Sequence, residues 1–151
     1  MAIANKFPTK DISPEDLKEK FPLVAKKNSE HISKFEISGV EFGGDLIPIF
    51  AGPNMVESKE LIFDIAENVK KKGAHFLRGG AFKPLTFPYR SEKYTETREE
   101  GIKWLNEVKN EIKIPIITEI MEEKYIPLIS EVTDIIQIGS RNMQNYPFLT
   151  A

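Results

Sequence analysis

The polar residues that could do chemistry recur at one kind of place along this chain. Asn54 follows the apolar run Leu46-Ile47-Pro48-Ile49-Phe50, and Arg78 opens the segment Arg78-Gly79-Gly80-Ala81-Phe82-Lys83-Pro84. Thr118 and Glu119 fall near the end of the run 114–120, and Gln137, Arg141, Asn142 and Gln144 follow Ile135-Ile136. The cations Arg78, Lys83 and Arg141 imply an anionic ligand, because a guanidinium fork matches phosphate or carboxylate two oxygens at a time. Gly79 and Gly80 would let the backbone come close to that ligand. Taken singly, each of these charges reads as a solvated rim charge. Their recurrence after successive apolar runs is what marks a site.

Those runs are the elements that must position the site. The segments 46–50, 74–80, 114–120 and 134–140 read as strands, the first as one buried on both faces. Between them lie amphipathic helical patterns. In 57–73, Leu61, Ile65 and Val69 share a face, Lys70 to Lys72 complement the C-terminal dipole, and Gly73 is the stop. In 97–112, Thr97 and Glu100 have capping-box spacing, and Ile102, Leu105 and Val108 make the apolar stripe. A short helix over 122–132 accommodates Pro127, and 141–151 starts a further one. Upstream, Ser13 caps a short helix with Pro14 in its first turn, and 34–44 alternates around Gly39 as a hairpin lid or plug.

Strand and helix alternating at this rhythm give a parallel sheet with right-handed crossovers. An open doubly wound sheet and a (β/α)8 barrel both fit, and both place ligands at the C-terminal ends of their strands. His75 opens its strand, so it falls at the opposite end and reads as a packed or surface histidine, as does His31 in the arm. Phe76 and Trp104 read as core residues.

The 151 residues carry a net charge of −2, 40% hydrophobic and 29% charged residues, and no cysteine. That balance is globular and offers no general attraction to nucleic acid or anionic membranes. Disulfides and thiolate metal sites are excluded. No apolar run approaches the ~20 residues of a membrane span, so the expectation is a soluble, cytoplasmic protein.

Four stretches carry a family likeness: 49–58 (IFAGPNMVES), 76–89 (FLRGGAFKPLTFPY), 99–121 (EEGIKWLNEVKNEIKIPIITEIM) and 134–149 (DIIQIGSRNMQNYPFL). They resemble the 3-deoxy-D-arabino-heptulosonate 7-phosphate (DAHP) synthases, type I-beta, related to 3-deoxy-D-manno-octulosonate 8-phosphate (KDO8P) synthase. The resemblance runs from about Phe35 to Ala151. It implies a TIM barrel, a transferase that condenses phosphoenolpyruvate with erythrose 4-phosphate, and a place at the opening of the shikimate pathway and aromatic amino-acid biosynthesis. It also implies residue roles. Arg78, Lys83 and Arg141 would grip phosphoenolpyruvate, with Gln137 and Gln144 beside them. Lys83, Pro84 and Thr86 would receive the aldehyde, and Glu119 would stand near the water that attacks phosphoenolpyruvate C2. Lys83, Glu119 and Asn54 are the expected catalytic residues.

The sequence departs from the family pattern in three respects. Asn54 stands where metal-dependent members have a cysteine ligand, and an amide is a poor ligand for a soft transition-metal site. That form resembles metal-independent KDO8P synthases, so no metal or other cofactor is expected from this chain. A divalent metal would need His, Glu and Asp ligands from a further half. Leu85 stands where the family loop carries the arginine for the aldehyde phosphate, and Phe87 replaces a small residue. Third, the pattern stops in the fourth helix. The expectation is therefore an arm, 1–33, and a half barrel, 34–151, of four βα units preceded by the helix and hairpin. Such a half needs a homo-oligomer or a complementary half-barrel chain for activity. The alternatives are a non-catalytic or truncated homologue acting as an anion-binding or regulatory partner, and KDO8P-type condensation without metal.

Overall fold

A computed structural model describes residues 13–83 and 95–151; Pro84, Leu85, Thr86 and Phe87 lie outside the described residues. The first helix, α1, spans Pro14–Lys20. Its cap is reciprocal: the Asp16 amide donates to Ser13 Oγ at 3.1 Å, and the Ser13 amide reaches Asp16 Oδ2 at 3.3 Å. Strands β1 (Phe35–Ile37) and β2 (Val40–Phe42) pair antiparallel. Ser38 and Gly39 join them with φ of 50° and 80°, the two positive values that a two-residue type I′ turn requires.

A parallel sheet follows, built from β3 (Phe50–Ala51), β4 (Phe76–Arg78), β5 (Ile116–Ile120) and β6 (Ile135–Ile138), in that spatial order. Its helices are α2 (Lys59–Lys71), α3 (Arg98–Ile112), α4 (Ile126–Val132) and α5 (Tyr146–Thr150). Helix α3 packs on both α2 and α4. The core between helices and sheet contains Ile62, Ala66, Leu77, Leu105, Val108 and Ile116, all essentially inaccessible. Sequential strands with helices layered on one face make a singly wound arrangement. A doubly wound sheet would reverse its strand order and carry helices on both faces.

The local chemistry explains the element ends. Ser58 Oγ accepts from the Leu61 amide and starts α2. At its end the Ala74 amide bonds the Val69 carbonyl and the Gly73 amide bonds the Lys70 carbonyl, a Schellman pair with Gly73 at φ 89°. Lys70 Nζ donates to the last carbonyls of the neighbouring helix α3, at Ile112 and Lys113. Pro127 sits in the first turn of α4, where its missing N–H removes no helical bond.

Three local expectations are corrected. Residues 46–50 do not form a strand buried on both faces. The ladder starts only at Phe50, because Pro48 has no N–H to donate. Leu46, Ile47, Ile49 and Phe50 remain substantially exposed on this edge of the sheet. Helix α2 buries Ile62 and Ala66 rather than Leu61, which is exposed; the buried stripe is rotated by one residue from the expected face, with Ile65 and Val69 on its flank. Thr97 makes no capping box. Its hydroxyl donates instead to the Val56 carbonyl at 3.0 Å, tying the start of α3 to the loop after β3.

The opposite face of the sheet is divided in two. In-register partners share a face, which places Phe50, Phe76, Arg78, Ile117, Glu119, Ile135 and Gln137 together. At the N-terminal end the hairpin covers this face as a plug, not a lid: the Phe42 ring lies 5.9 Å from Phe76 and 6.1 Å from Phe50. His75, also at this end, accepts from the Ile49 amide through Nδ1 at 3.0 Å. Asp134 fastens the hairpin turn. Its carboxylate accepts from Ser38 Oγ at 2.6 Å and the Ile116 amide at 2.8 Å, and pairs with Lys109 Nζ at 2.9 Å. Burial would raise the Asp134 carboxyl, but the Ser38 hydroxyl, the Ile116 amide and Lys109 outweigh it and hold the group below its ordinary value.

Candidate anion-binding site

At the C-terminal end of that face the polar side chains of successive strands join. Arg78 points from the last residue of β4. Its Nε donates to Gln137 Oε1 at 3.2 Å, and its Nη1 reaches the carbonyls of Pro53 and Asn54 and the Asn54 side-chain oxygen, each at 3.2 Å. Gln137 on β6 stands in register with Glu119 on β5, and its Nε2 donates to Glu119 Oε2 at 3.4 Å. The same carboxylate oxygen lies 3.7 Å from Lys83 Nζ. Asn54, Arg78, Gln137, Glu119 and Lys83 thus form one connected chain across every strand of the parallel sheet.

Burial makes this arrangement electrostatically effective. Glu119 is only 5% exposed, so its charge is largely desolvated and needs the partners it has. With two cations and one carboxylate the connected group carries a net positive charge, and Arg78 Nη2 makes no hydrogen bond among the described residues. A phosphate or carboxylate entering there would meet donors already aimed by bonds behind them.

The backbone beneath is built from close approaches. A Cβ on Gly139 would stand 1.9 Å from Glu119 Oε1, so only glycine leaves the carboxylate its place. Gly79 and Gly80, expected to let the backbone come close to a ligand, also face close contacts within the protein. An added Cβ on Gly79 would stand 3.0 Å from Val56 Cγ2 and one on Gly80 3.0 Å from the Asn54 carbonyl, so both positions are tightly packed. The Val56 amide donates to the Gly80 carbonyl at 3.0 Å, locking the two strand-end loops together. Thr118, fully buried on the helix side of β5, donates to the Gly79 carbonyl at 2.6 Å.

Not every expected residue joins. Arg141 and Gln144 lie exposed on the turn between β6 and α5, outside the connected chain. Asn142 anchors that turn through Nδ2 to the Met121 carbonyl at 3.2 Å. Pro84 and Thr86, the other expected aldehyde contacts, lie outside the described residues. Thr118, grouped with Glu119 by its place at the strand end, supports the site from behind, and Gly139 is a supporting residue that no motif singles out. The alternation of β5 gives the signal for Thr118, since it must face away from Glu119; nothing local gives Gly139, whose constraint comes from the neighbouring strand.

Comparison with known proteins places this geometry in context. Residues 20–151 match the model of the DAHP synthetase I family. A phospho-2-dehydro-3-deoxyheptonate aldolase from Thermotoga maritima is 31% identical over 150 residues, 98% of this chain and 44% of that protein. A 2-dehydro-3-deoxyphosphooctonate aldolase from Acinetobacter baylyi is 33% identical over 94 residues, 60% of this chain and 33% of that protein. The crystal structure of the Thermotoga maritima DAHP synthase superposes with a TM-score of 0.71 at 32% identity, covering 88% of this chain and 35% of that one. A truncated form of the same enzyme gives a TM-score of 0.68 at 30% identity, covering 88% and 43%. The chain therefore spans less than half the length of these relatives.

Proposed function

The chain belongs to the DAHP synthetase I family, and on that premise we propose that it binds phosphoenolpyruvate and contributes one half of a barrel that condenses it with a phosphorylated aldose, in the first place erythrose 4-phosphate. The observation that carries this reading is the connected set Asn54–Arg78–Gln137–Glu119–Lys83 at consecutive strand ends. Arg78 and Lys83 hold the phosphate and carboxylate, and Arg141 approaches from the rim with Gln144. Glu119 accepts the proton of the water that adds at phosphoenolpyruvate C2. Asn54 orients the aldehyde, which Lys83, Pro84 and Thr86 receive. Two multiply charged anions must be held side by side, so positioning by cations supplies much of the rate.

The metal of the wider family does not fit the residues present. The Asn54 side-chain oxygen already accepts from the Arg78 guanidinium, which puts a positive charge where a cation would bind. No step is derived through a metal. Asn54, together with the likeness to the Acinetobacter baylyi protein, supports KDO8P-type condensation as the second reading.

The strands run in order with helices on one face, and a (β/α)8 barrel needs ~250 residues and eight such strands. Strands β3 and β6 each pair on one side only among the described residues. Beside β6 an apolar groove of about 340 Å³ is lined by Ile136, Ile138, Phe148 and Leu149. Unpaired edges recruit further strands. We assign residues 34–151 to the half barrel and 1–33 to its arm, and the free edges of β3 and β6 to pairing with the remaining strands of the barrel.

Calorimetry and thermal unfolding with phosphoenolpyruvate test the site. Ligand at 100 times its dissociation constant stabilises by about 2.7 kcal/mol, and Arg78→Ala abolishes the effect. Condensation should appear only when a chain supplying the remaining strands is added. A parent chain with no response to phosphoenolpyruvate removes the reading.

A further inference from the structure

We propose that Arg98 is a positioning residue for the Lys83-bearing segment, acting through Phe82 and Tyr125; this rests on the anion-site reading above. Arg98 holds that segment in two ways. Its amide donates to the Ala81 carbonyl at 2.9 Å. Its guanidinium lies 5.5 Å from the centre of the Phe82 ring and 5.7 Å from that of Tyr125, and its Nη2 donates to the Tyr125 hydroxyl at 2.6 Å. The two rings are themselves 4.3 Å apart, and Phe82 is only 3% exposed. Phe82 immediately precedes Lys83, so a cation stacked over that ring fixes the backbone from which the Lys83 side chain reaches Glu119. Tyr125, at the start of α4, fixes the other side of the stack.

The backbone of Arg98 points the same way. Its φ is 50°, in the left-handed region where glycine is comfortable and arginine is strained. A positive φ favours glycine over arginine at this position; the strain persists because the side chain is engaged elsewhere. Glu96 at 3.6 Å and Glu99 at 3.9 Å flank the guanidinium, and the Lys124 ammonium lies 4.9 Å over the Tyr125 ring. The stack is therefore a charged cluster one residue away from the proposed anion grip.

The test uses the full chain and exploits that strain. Arg98→Gly relieves the backbone but removes the Tyr125 bond and the stack, so the two effects offset and the melting temperature should move by only a few degrees. Phosphoenolpyruvate affinity by calorimetry should nevertheless fall about tenfold, and the amides of Gly80 to Lys83 should exchange hydrogen faster. Tyr125→Phe, which keeps the ring and removes the acceptor, should fall between parent and R98G. Parent-like affinity and exchange in R98G overturn this role alone. Loss of affinity with faster exchange spread over the whole chain, rather than confined to Gly80 to Lys83, also overturns it, because Arg98 would then be merely structural. A parent chain that binds no phosphoenolpyruvate overturns the anion-site reading and this role with it.

Discussion

Asp134 offers the most direct check on how the sheet holds its N-terminal plug. Replacing it with alanine removes three partners at once. The Ile116 amide loses its acceptor at 2.8 Å, and Ile116 is fully buried, so no water replaces it. An unsatisfied buried donor costs about 1–3 kcal/mol. The Lys109 pair, with side chains 31% and 13% exposed, adds up to about 1 kcal/mol after solvent screening. The Ser38 bond lies near the surface and adds a similar or smaller amount, because water can take its place. The expected loss is about 2–4 kcal/mol, which lowers the melting temperature by roughly 5–15 °C for a chain of this size. Thermal and urea unfolding followed by circular dichroism measure it. The pH dependence carries a definite sign. The folded carboxyl titrates below its ordinary value of 3.8, so the unfolded chain binds the proton more readily. The stabilisation is complete above that value and disappears as pH falls through the folded one. Asp134→Asn should therefore flatten the decline in stability below about pH 4. If D134A unfolds within 0.5 kcal/mol (about the spread of a neutral surface change) of the parent, the clasp is not what holds the hairpin.

Two further substitutions test the site's framework. Gly139→Ala pushes a methyl group into Glu119 Oε1; overpacking of this kind costs about 1–3 kcal/mol, and phosphoenolpyruvate binding should weaken with the displaced carboxylate, read by unfolding and calorimetry on the same sample. Thr118→Val keeps the shape but leaves the buried Gly79 carbonyl without its side-chain donor, at a cost of about 1–3 kcal/mol in urea unfolding; parent-like stability would refute the assigned bond.

The sequence by itself determined the order and type of the elements, because periodicity and end signals are local. Ser13, Gly73 and Pro127 act within a turn or two of where they stand, and the hairpin around Gly39 is set by two residues. The polar strand ends were legible for the same reason: Asn54, Arg78, Glu119 and Gln137 each follow an apolar run. Tertiary structure decided what those ends do together. The Glu119–Gln137 register, the aim of Arg78 at Asn54 and the exposure of Arg141 depend on strand pairing between segments far apart in the chain, which no local pattern encodes. It also redirected Thr97 from a helix cap to the Val56 carbonyl, and turned α2 so that Ile62 rather than Leu61 is buried. The constraint on Gly139 comes from a carboxylate on the adjacent strand, and the stack of Arg98 on Phe82 and Tyr125 brings together residues from three separate segments. Local chemistry chose the parts; packing and register chose their partners.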